Sequence, residues 1–171
     1  MSEIKIRAEG EGDWDAVRKI NELAFKQPNE ANLVEALRAK ASPFISLVAV
    51  DGKEVVGHIF FSPVTIQAEE DSFTALGLAP MAVLPERQNQ GIGSLLVREG
   101  LKECKRIGEN VVVVLGHPDY YPRFGFVVAK EKGLSCEYPV PDEVFMVAEL
   151  TPNALNGRKG LVVYHPEFKN V

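Results

Sequence analysis

The stretch 81–96 reads Met81-Ala82-Val83-Leu84-Pro85-Glu86-Arg87-Gln88-Asn89-Gln90-Gly91-Ile92-Gly93-Ser94-Leu95-Leu96. It begins as an apolar strand, passes through a polar turn and continues as a helix. Gly91 and Gly93 let the backbone approach a bulky anion because neither has a Cβ. The first N–H groups of the helix, and its positive end, point at that anion. The stretch therefore predicts a turn that binds a pyrophosphate.

Two glycines before a helix can also do no more than make a tight turn. Two nucleotide sites can be compared with the same residues. A P-loop needs Gly-Lys-Ser/Thr, which is absent, and the dinucleotide fingerprint needs a third glycine where Leu96 stands. Both of these nucleotide sites are therefore disfavoured.

Upstream of the turn, the apolar periodicity predicts two helices and several strands. The predicted elements are a strand over 4–8, a helix capped by Asp13 with Trp14 in the core, a helix capped by Asn29, and strands over 45–50, 54–62, 64–67 and 73–84. Asp51-Gly52 supplies the positive φ angles of a tight hairpin between two of these strands. Pro80 predicts a bulge or an edge in the last one.

Downstream, a helix from Gly93 to Ile107 is followed by a continuous apolar run at Val111 to Leu115, which is typical of a buried strand. The remaining predicted elements are a short helix over 119–124, strands over 126–129, 144–150 and 161–164, and one helical turn at 151–155 with Thr151 as its cap.

The turn resembles a known family motif. Gln88-Asn89-Gln90-Gly91-Ile92-Gly93 is similar to the Q/R-x-x-G-x-G/A signature of the GNAT superfamily of N-acetyltransferases. The runs 78–84 and 111–115 resemble its fourth and fifth strands, and the run 120–126 resembles its tyrosine-x-x-x-Gly-Phe ending. The link 116–122 departs from the family's more familiar Asn- and Ala-containing stretch and brings His117 near the site.

The resemblance implies an α/β (α+β) fold. We expect a single domain over residues 1–171 whose central sheet is mixed, mostly antiparallel and twisted, with about seven strands flanked by helices. The fourth and fifth strands should splay apart, with the pantetheine arm of acetyl-CoA in the gap. The signatures cover residues 78–128, and the last forty residues match the family poorly.

The resemblance also implies which residues act. Pantetheine would pair with the backbone of Met81, Ala82 and Val83. The pyrophosphate would be held by the main chain of Gln88, Asn89, Gln90, Gly91, Ile92, Gly93 and Ser94, with Arg87 or the Gln88 side chain nearby and the Ser94 hydroxyl contributing. Tyr121 would touch the cofactor and act as the general acid that protonates the departing sulfur, whereas Tyr120 is expected to pack.

The general base is left open among three residues. His117 comes first because imidazole titrates near neutral pH, and Glu22 and Glu86 are the alternatives, as is a relay of waters. The predicted function is transfer of the acetyl group of acetyl-CoA to a primary amine by direct attack in a ternary complex. A non-catalytic acyl-CoA-binding module, or transfer of another acyl group, remains an alternative.

Composition restricts the other partners. Of the 171 residues 46% are hydrophobic and 25% charged, which is typical of a globular protein, and the net charge of -5 argues against nucleic acid. No apolar run suggests a membrane span or a signal peptide, so we expect a cytoplasmic protein. Cys104 and Cys136 have no zinc spacing, and no metal is expected.

The segment 25–37, the hairpin and the tail should form the walls of the cleft on the acceptor side. Tail aromatics Tyr138, Phe145, Tyr164 and Phe168 are assigned to the core or to a possible homodimer contact.

Overall fold

A computed structural model describes residues 3–69 and 71–171 of the chain. Within these residues nine strands form one sheet: β1 (Ile4–Ala8), β2 (Ile45–Asp51), β3 (Glu54–Gln67), β4 (Phe73–Val83), β5 (Val111–Leu115), β6 (Val127–Val128), β7 (Leu134–Cys136), β8 (Phe145–Glu149) and β9 (Gly160–Val163). The order is β1-β2-β3-β4-β5-β8-β6, with β9 beside β3 and β7 beside β9. Only β4–β5 and β7–β9 are parallel among these pairs. The predicted mixed, mostly antiparallel sheet is confirmed, and the short β6 and β7 bring it above seven strands.

The β2–β3 hairpin turns at Asp51-Gly52, as predicted, and Gly52 has a φ of 62°. The prediction of separate strands over 54–62 and 64–67 is wrong, because β3 runs unbroken through Pro63. On one side, β3 pairs with β2 as far as Phe61 and with β9 only from Thr65 onwards. Pro63 lies between these two partners, so on that side the N–H that proline lacks costs no ladder bond.

The parallel pairing of β4 with β5 is short. It joins Leu76–Val112, Gly77–Val113 and Leu78–Val114 and then stops. Beyond Leu78, β4 continues to Val83, and its register with β3 shifts opposite Ile59 and Phe61, where Pro80 was expected to make a bulge. The two strands therefore separate from Ala79 onwards, and this confirms the predicted splay.

Three helices cover the sheet. α1 (Trp14–Phe25) and α2 (Asn29–Lys40) lie on one face, where α2 buries Leu33, Val34 and Leu37 against Val48 and Phe60. α3 (Ile92–Arg106) covers the other face, where Leu96 and Val97 pack with Leu47 and Phe61. Alternate residues of β2 and β3 thus serve opposite helical layers, as the period of two in a strand requires.

Two predicted helix caps are wrong. Asp13 precedes α1, but its carboxylate accepts hydrogen bonds from the Arg7 guanidinium at 2.7 Å and from the Gly10 N–H at 2.7 Å instead of capping. The Arg7 hydrogen bond is the main cause that lowers the pKa of Asp13. Asn29 is the first residue of α2 and makes no cap hydrogen bond.

Two further predictions need correction. Trp14 is not a core residue, because 43% of it is exposed and its ring lies under the Arg38 guanidinium at 4.8 Å. Residues 151–155 form turns and not a helical turn. The Leu155 N–H donates to the Glu149 carboxylate at 2.9 Å, so it is lost to the helical hydrogen bond that Thr151 would accept.

Within residues 3–69 and 71–171, no helix combines the length and apolarity needed to cross a bilayer. No group of three or more potential metal ligands occurs in the same part of the chain. Cys104 and Cys136 are free thiols. Burial raises the pKa of Cys104 to about 12, which leaves it protonated.

Candidate active site

The splay of β4 and β5 opens a cleft of about 780 Å³. One wall is β4 from Leu78 to Val83, and the other is the end of β5 with the segment that follows it. The lining residues are Phe25, Glu30, Leu33, Leu78, Ala79, Pro80, Met81, Val83, Gln88, Asn89, Leu115, Gly116, His117, Tyr120, Tyr121, Tyr138, Tyr164, Phe168 and Val171. Some of the predicted cofactor residues line this cleft, and the aromatic residues of the tail line its other end. The predicted residues in the lining are Met81, Val83, Gln88, Asn89 and Tyr121, and those outside it are Ala82, Arg87, Gln90, Gly91, Ile92, Gly93 and Ser94.

The glycine turn has the expected backbone geometry. Gly91 precedes α3 with a φ of 85°, a region that residues with a Cβ rarely adopt, and Asn89 has a φ of 63°. The first intrahelical hydrogen bond of α3 runs from the Leu95 N–H to the Gly91 carbonyl. The N–H groups of the preceding residues of the helix therefore point outwards at an exposed turn, in the arrangement that binds an anion.

Gly93 lies in close contact with Tyr120 and Met81. A Cβ at this position would lie 3.3 Å from the Tyr120 hydroxyl and 3.5 Å from Met81 Cε. The Tyr120 hydroxyl shares a hydrogen bond of 3.0 Å with Ser94 Oγ. The structure thus places Tyr120 in the site as a link to α3, whereas the sequence suggested packing alone, and its partner Ser94 is already engaged.

The Arg87 side chain is paired with other side chains of the protein. Its guanidinium lies 2.8 Å from Asp51 and 3.7 Å from Glu54, both at the β2–β3 hairpin, and its Nε donates to Gln90 Oε1 at 3.3 Å. Two carboxylates therefore compete with any phosphate for this charge. The arrangement makes Arg87 a tether that fixes the turn to the sheet.

The cleft side of β4 carries backbone groups available for a ligand. The Leu84 N–H donates to Val56 on β3, and since alternate residues of a strand share one direction, the polar groups of Ala82 also face β3. Those of Met81 and Val83 face the cleft. The Val83 carbonyl accepts a hydrogen bond from Gln88 Nε2 at 3.1 Å, so the Gln88 side chain lies at this strand edge.

Tyr121 lies deeper in the cleft and is 7% exposed. Its ring packs edge-on against Tyr120 and Phe126 at centroid distances of 5.1 and 5.5 Å, and against Gly116, where a Cβ would overlap it. Burial raises the pKa of Tyr121 to about 12. The phenol therefore keeps its proton at neutral pH, as a proton donor must.

The three candidate bases lie in different places. His117 lines the cleft on an exposed turn, and its carbonyl accepts the N–H of Tyr120 at 3.1 Å. Glu22 lies outside the cleft lining and pairs with Arg18 at 3.4 Å. Glu86 is exposed and also lies outside the lining. The cleft thus brings together His117 and Tyr121 and leaves out both glutamates.

The far end of the cleft is lined by three aromatic residues that the sequence assigned to the core or to a dimer contact. Tyr138, Tyr164 and Phe168 line it. The core assignment is confirmed for Tyr164 and Phe145, which belong to one buried cluster, and Tyr138 and Phe168 pack against that cluster. Glu30 lines it from α2. Segment 25–37 and the tail do contribute to the wall, whereas the hairpin does not. No local motif marks these positions, because they meet only in the folded chain.

Comparison with known proteins identifies the class. Residues 5–129 match the family model described as acetyltransferase (GNAT) domain. This match covers more than half of the chain and includes the glycine turn, the splayed strands and Tyr121. The protein belongs to the GNAT family of acetyltransferases, and the predicted acyltransferase class is confirmed.

Individual relatives agree with this assignment. The chain is 38% identical over 164 residues to the uncharacterized N-acetyltransferase YhbS of Escherichia coli K12, covering 95% of this chain and 97% of that protein. The crystal structure of E. coli YhbS in complex with CoA is similar with a TM-score of 0.91 at 35% identity, over 99% of this chain and 93% of the other.

A GNAT family acetyltransferase from Brucella melitensis in complex with acetyl-CoA is similar with a TM-score of 0.79. It is 36% identical and covers 98% of this chain and 99% of its own. Both neighbours were crystallised with the cosubstrate class that the sequence predicts.

Proposed function

We propose that the protein transfers the acetyl group of acetyl-CoA to a primary amine of a small molecule or protein, by direct attack within a ternary complex. The observation that carries the proposal is the open cleft between β4 and β5, with the glycine turn at one end and the protonated phenol of Tyr121 inside it. Such a cleft admits an extended thioester arm from one side and an acceptor from the other.

The cofactor would be held mainly by the main chain. The pyrophosphate would accept hydrogen bonds from the N–H groups between Gln88 and Ser94, and pantetheine would pair with the cleft-facing groups of Met81 and Val83. The Gln88 side chain would then give up its hydrogen bond to the Val83 carbonyl, and the incoming pantetheine amide would take its place. Arg87 would contribute by holding the turn on the hairpin.

The chemistry follows from the positions of the donors. The amine nitrogen attacks the thioester carbonyl carbon, and the carbonyl π electrons move to oxygen. A cleft-facing N–H of β4 can stabilise that oxyanion, an effect of about 3 kcal/mol per donor in other enzymes. When the oxyanion re-forms the carbonyl and the C–S bond breaks, the electron pair of that bond stays on sulfur, and Tyr121 donates the proton that turns the thiolate into a thiol. The nitrogen, which is cationic after attack, releases its second proton to solvent and becomes the neutral amide, and solvent returns a proton to the Tyr121 phenolate.

The acceptor must also lose a proton, because an alkylammonium has a pKa of about 10 and is no nucleophile. His117 lines the cleft and would receive this proton before attack, directly or through one water. Its place at the open side, away from the buried Tyr121, separates the proton acceptor from the proton donor along the cleft.

The first experiment is a thermal-shift titration with acetyl-CoA and CoA, with ATP and NAD as controls. At 100 times its dissociation constant, a ligand should add about 2.7 kcal/mol, or roughly 5–10 °C for this size. Only the CoA species should shift the transition. Thiol release with a panel of amines, run with acetyl-, propionyl- and succinyl-CoA, then tests the reaction and the acyl group.

Three outcomes would change the proposal. Binding of CoA without thiol release for any amine would favour a non-catalytic acyl-CoA-binding module. A faster reaction with another acyl-CoA would replace the acetyl group. Mass spectrometry that detects an acetylated protein able to pass its acetyl group to the amine would replace direct attack by a covalent intermediate.

A further inference from the structure

The end of the cleft opposite the glycine turn is built from aromatic rings. Tyr138 and Tyr164 lie with ring centroids 5.8 Å apart, and Tyr164 and Phe168 with centroids 5.2 Å apart. We call these three residues the aromatic wall. The tail segment that carries Phe168 packs on α2, where Lys40 pairs with Glu167 at 2.7 Å. The packing of the tail on α2 therefore keeps the aromatic wall in place.

The aromatic wall lies on the acceptor side. Tyr164 packs against Gly77, where a Cβ would approach its Cε2 to 3.2 Å. Gly77 precedes Val83 by six residues of β4. At about 3.3 Å per residue, Gly77 therefore lies roughly 20 Å from the end of β4 that leads into the glycine turn. An arm that enters from the glycine turn meets Tyr121 before it reaches this wall.

The charge of the cleft has one sign. Glu30 is the only acidic side chain among the described lining residues, and no Lys or Arg side chain lines the cleft. Both Glu30 oxygens accept from Gln27 Nε2, at 2.9 and 3.1 Å, and no cation pairs with this carboxylate within residues 3–69 and 71–171. Such a cleft attracts a cationic group and repels a second carboxylate.

The aromatic wall also carries an unsatisfied polar group. The hydroxyl oxygen of Tyr164 is buried and has no hydrogen-bond partner among the described residues, and Tyr164 as a whole is 5% exposed. Buried hydroxyls are rarely left unpaired in folded proteins. The Tyr164 hydroxyl is therefore available to a polar atom of a ligand that displaces the groups packed around it.

We propose that Glu30 and the aromatic wall form the acceptor subsite and select amines that carry an apolar or aromatic group and no carboxylate. This inference rests on the proposed acetyl transfer. The amine approaches as a cation, attracted by Glu30 and by the negative ring faces of the wall. Its apolar part packs on the rings, and a polar atom pairs with the Tyr164 hydroxyl. An α-amino acid brings a carboxylate towards Glu30 and is disfavoured.

The test compares phenethylamine with phenylalanine, which differ by one carboxylate. Wild-type protein should prefer phenethylamine by at least about tenfold in kcat/KM. Glu30→Gln should lower this preference about tenfold. Tyr164→Phe should raise the KM of tyramine, whose phenol hydroxyl can pair with the Tyr164 hydroxyl, by up to about tenfold, and should leave the KM of phenethylamine and the dissociation constant of CoA unchanged. Glu143→Gln removes an exposed carboxylate outside the cleft and should change neither amine.

A second measurement is independent of turnover. Binding of phenethylamine to protein saturated with CoA, which cannot react, should weaken in Glu30→Gln and in Phe168→Leu. The acceptor subsite is overturned if the wild-type protein acetylates or binds phenethylamine and phenylalanine equally. It is also overturned if Glu30→Gln changes kcat/KM for both amines by the same factor. In either case the proposed acetyl transfer stands. If no amine releases thiol but phenethylamine still binds through Glu30, the proposed transfer fails and the subsite remains.

Discussion

The two ends of the cleft are built in different ways. The cofactor end comes from one continuous stretch, 81–94, and offers mainly backbone N–H and carbonyl groups on an exposed turn. The acceptor end comes from α2, from the segment after β7, from the residue that follows β9 and from the tail, and offers rings and one carboxylate. One end uses groups that every residue has, and the other uses side chains brought together by topology.

This difference separates what is general from what is particular. A pyrophosphate is the same in every CoA ester, so a turn with a fixed backbone geometry can bind it whatever its neighbours are. An acceptor differs from one enzyme to another, and its recognition requires specific side chains. Substitutions at one end should therefore change one substrate and spare the other.

The largest effect is expected between the two ends, at Tyr121. Tyr121→Phe removes the proton donor, so kcat should fall by about 100-fold or more, while the dissociation constant of acetyl-CoA stays nearly constant. Since its pKa is raised to about 12, the wild-type phenol stays protonated and kcat should not decline up to about pH 10. Steady-state kinetics and calorimetry measure both quantities.

Tyr120→Phe is the matched control, because it removes the neighbouring phenol from the same aromatic cluster. Its kcat should remain within a fewfold of wild type. A fully active Tyr121→Phe protein would mean that solvent protonates the sulfur and that the ring serves only to pack.

The next effect is expected at the cofactor end. Gly91→Val forces a β-branched residue into a φ of 85°, which distorts the turn, and the dissociation constant of CoA should rise by about 30-fold. Gly108→Val is the control, because Gly108 has a φ of 92° at the far end of α3 and no contact with the cleft. It should lower stability without changing CoA affinity. Equal CoA affinity in both variants would remove the turn from the binding site.

The smallest effect is expected at the acceptor end. Gly77→Ala places a Cβ 2.9 Å from Val64 Cγ1 and 3.2 Å from Tyr164 Cε2, so Val64 must shift and the Tyr164 ring must move by a few tenths of an ångström. Overpacking of about 1 kcal/mol corresponds to about fivefold in the KM of the amine. Isothermal titration with CoA should show no change.

Gly57→Ala provides the mirror image of that variant, since its Cβ would press on Ile92 and Leu96 at 3.1 Å, at the start of α3. Here the CoA affinity should change and the amine KM should not. If both substrates respond to both substitutions, the two ends are coupled and the separation described above is wrong.

Local patterns were sufficient for much of the fold. The hairpin at Asp51-Gly52, the helix from the glycine turn and the buried β5 were predicted, because periodicity and turn chemistry act over a few residues. The splay was predicted only from the resemblance to the family. The errors arose where distant partners decide. Arg7 binds Asp13, which then caps no helix, Arg38 covers Trp14 at the surface, and Glu149 takes the Leu155 N–H.

The site divides in the same way. The glycine turn, Tyr121 and His117 were predicted from motifs of residues close in sequence, and the structure brings Gln88 and Asn89 of the turn into one cleft with Tyr121 and His117. The tether made by Arg87, the Tyr120–Ser94 bond and the aromatic wall were not predicted, because each joins elements far apart in the chain. Residue type alone does not tell a ring in a cleft wall from a ring in a core.

The open edge of β4 has a consequence for the protein before any substrate arrives. Between Ala79 and Val83 this strand pairs with no described residue on the β5 side, and a strand with unpaired N–H and C=O groups is a template for another extended chain. The Gln88 side chain donates a hydrogen bond to one of those carbonyls, that of Val83. In the proposed binding mode, pantetheine would act as a temporary extra strand. Preparations kept loaded with CoA should resist self-association better than the empty protein, and the cofactor then also serves as a shield against aggregation.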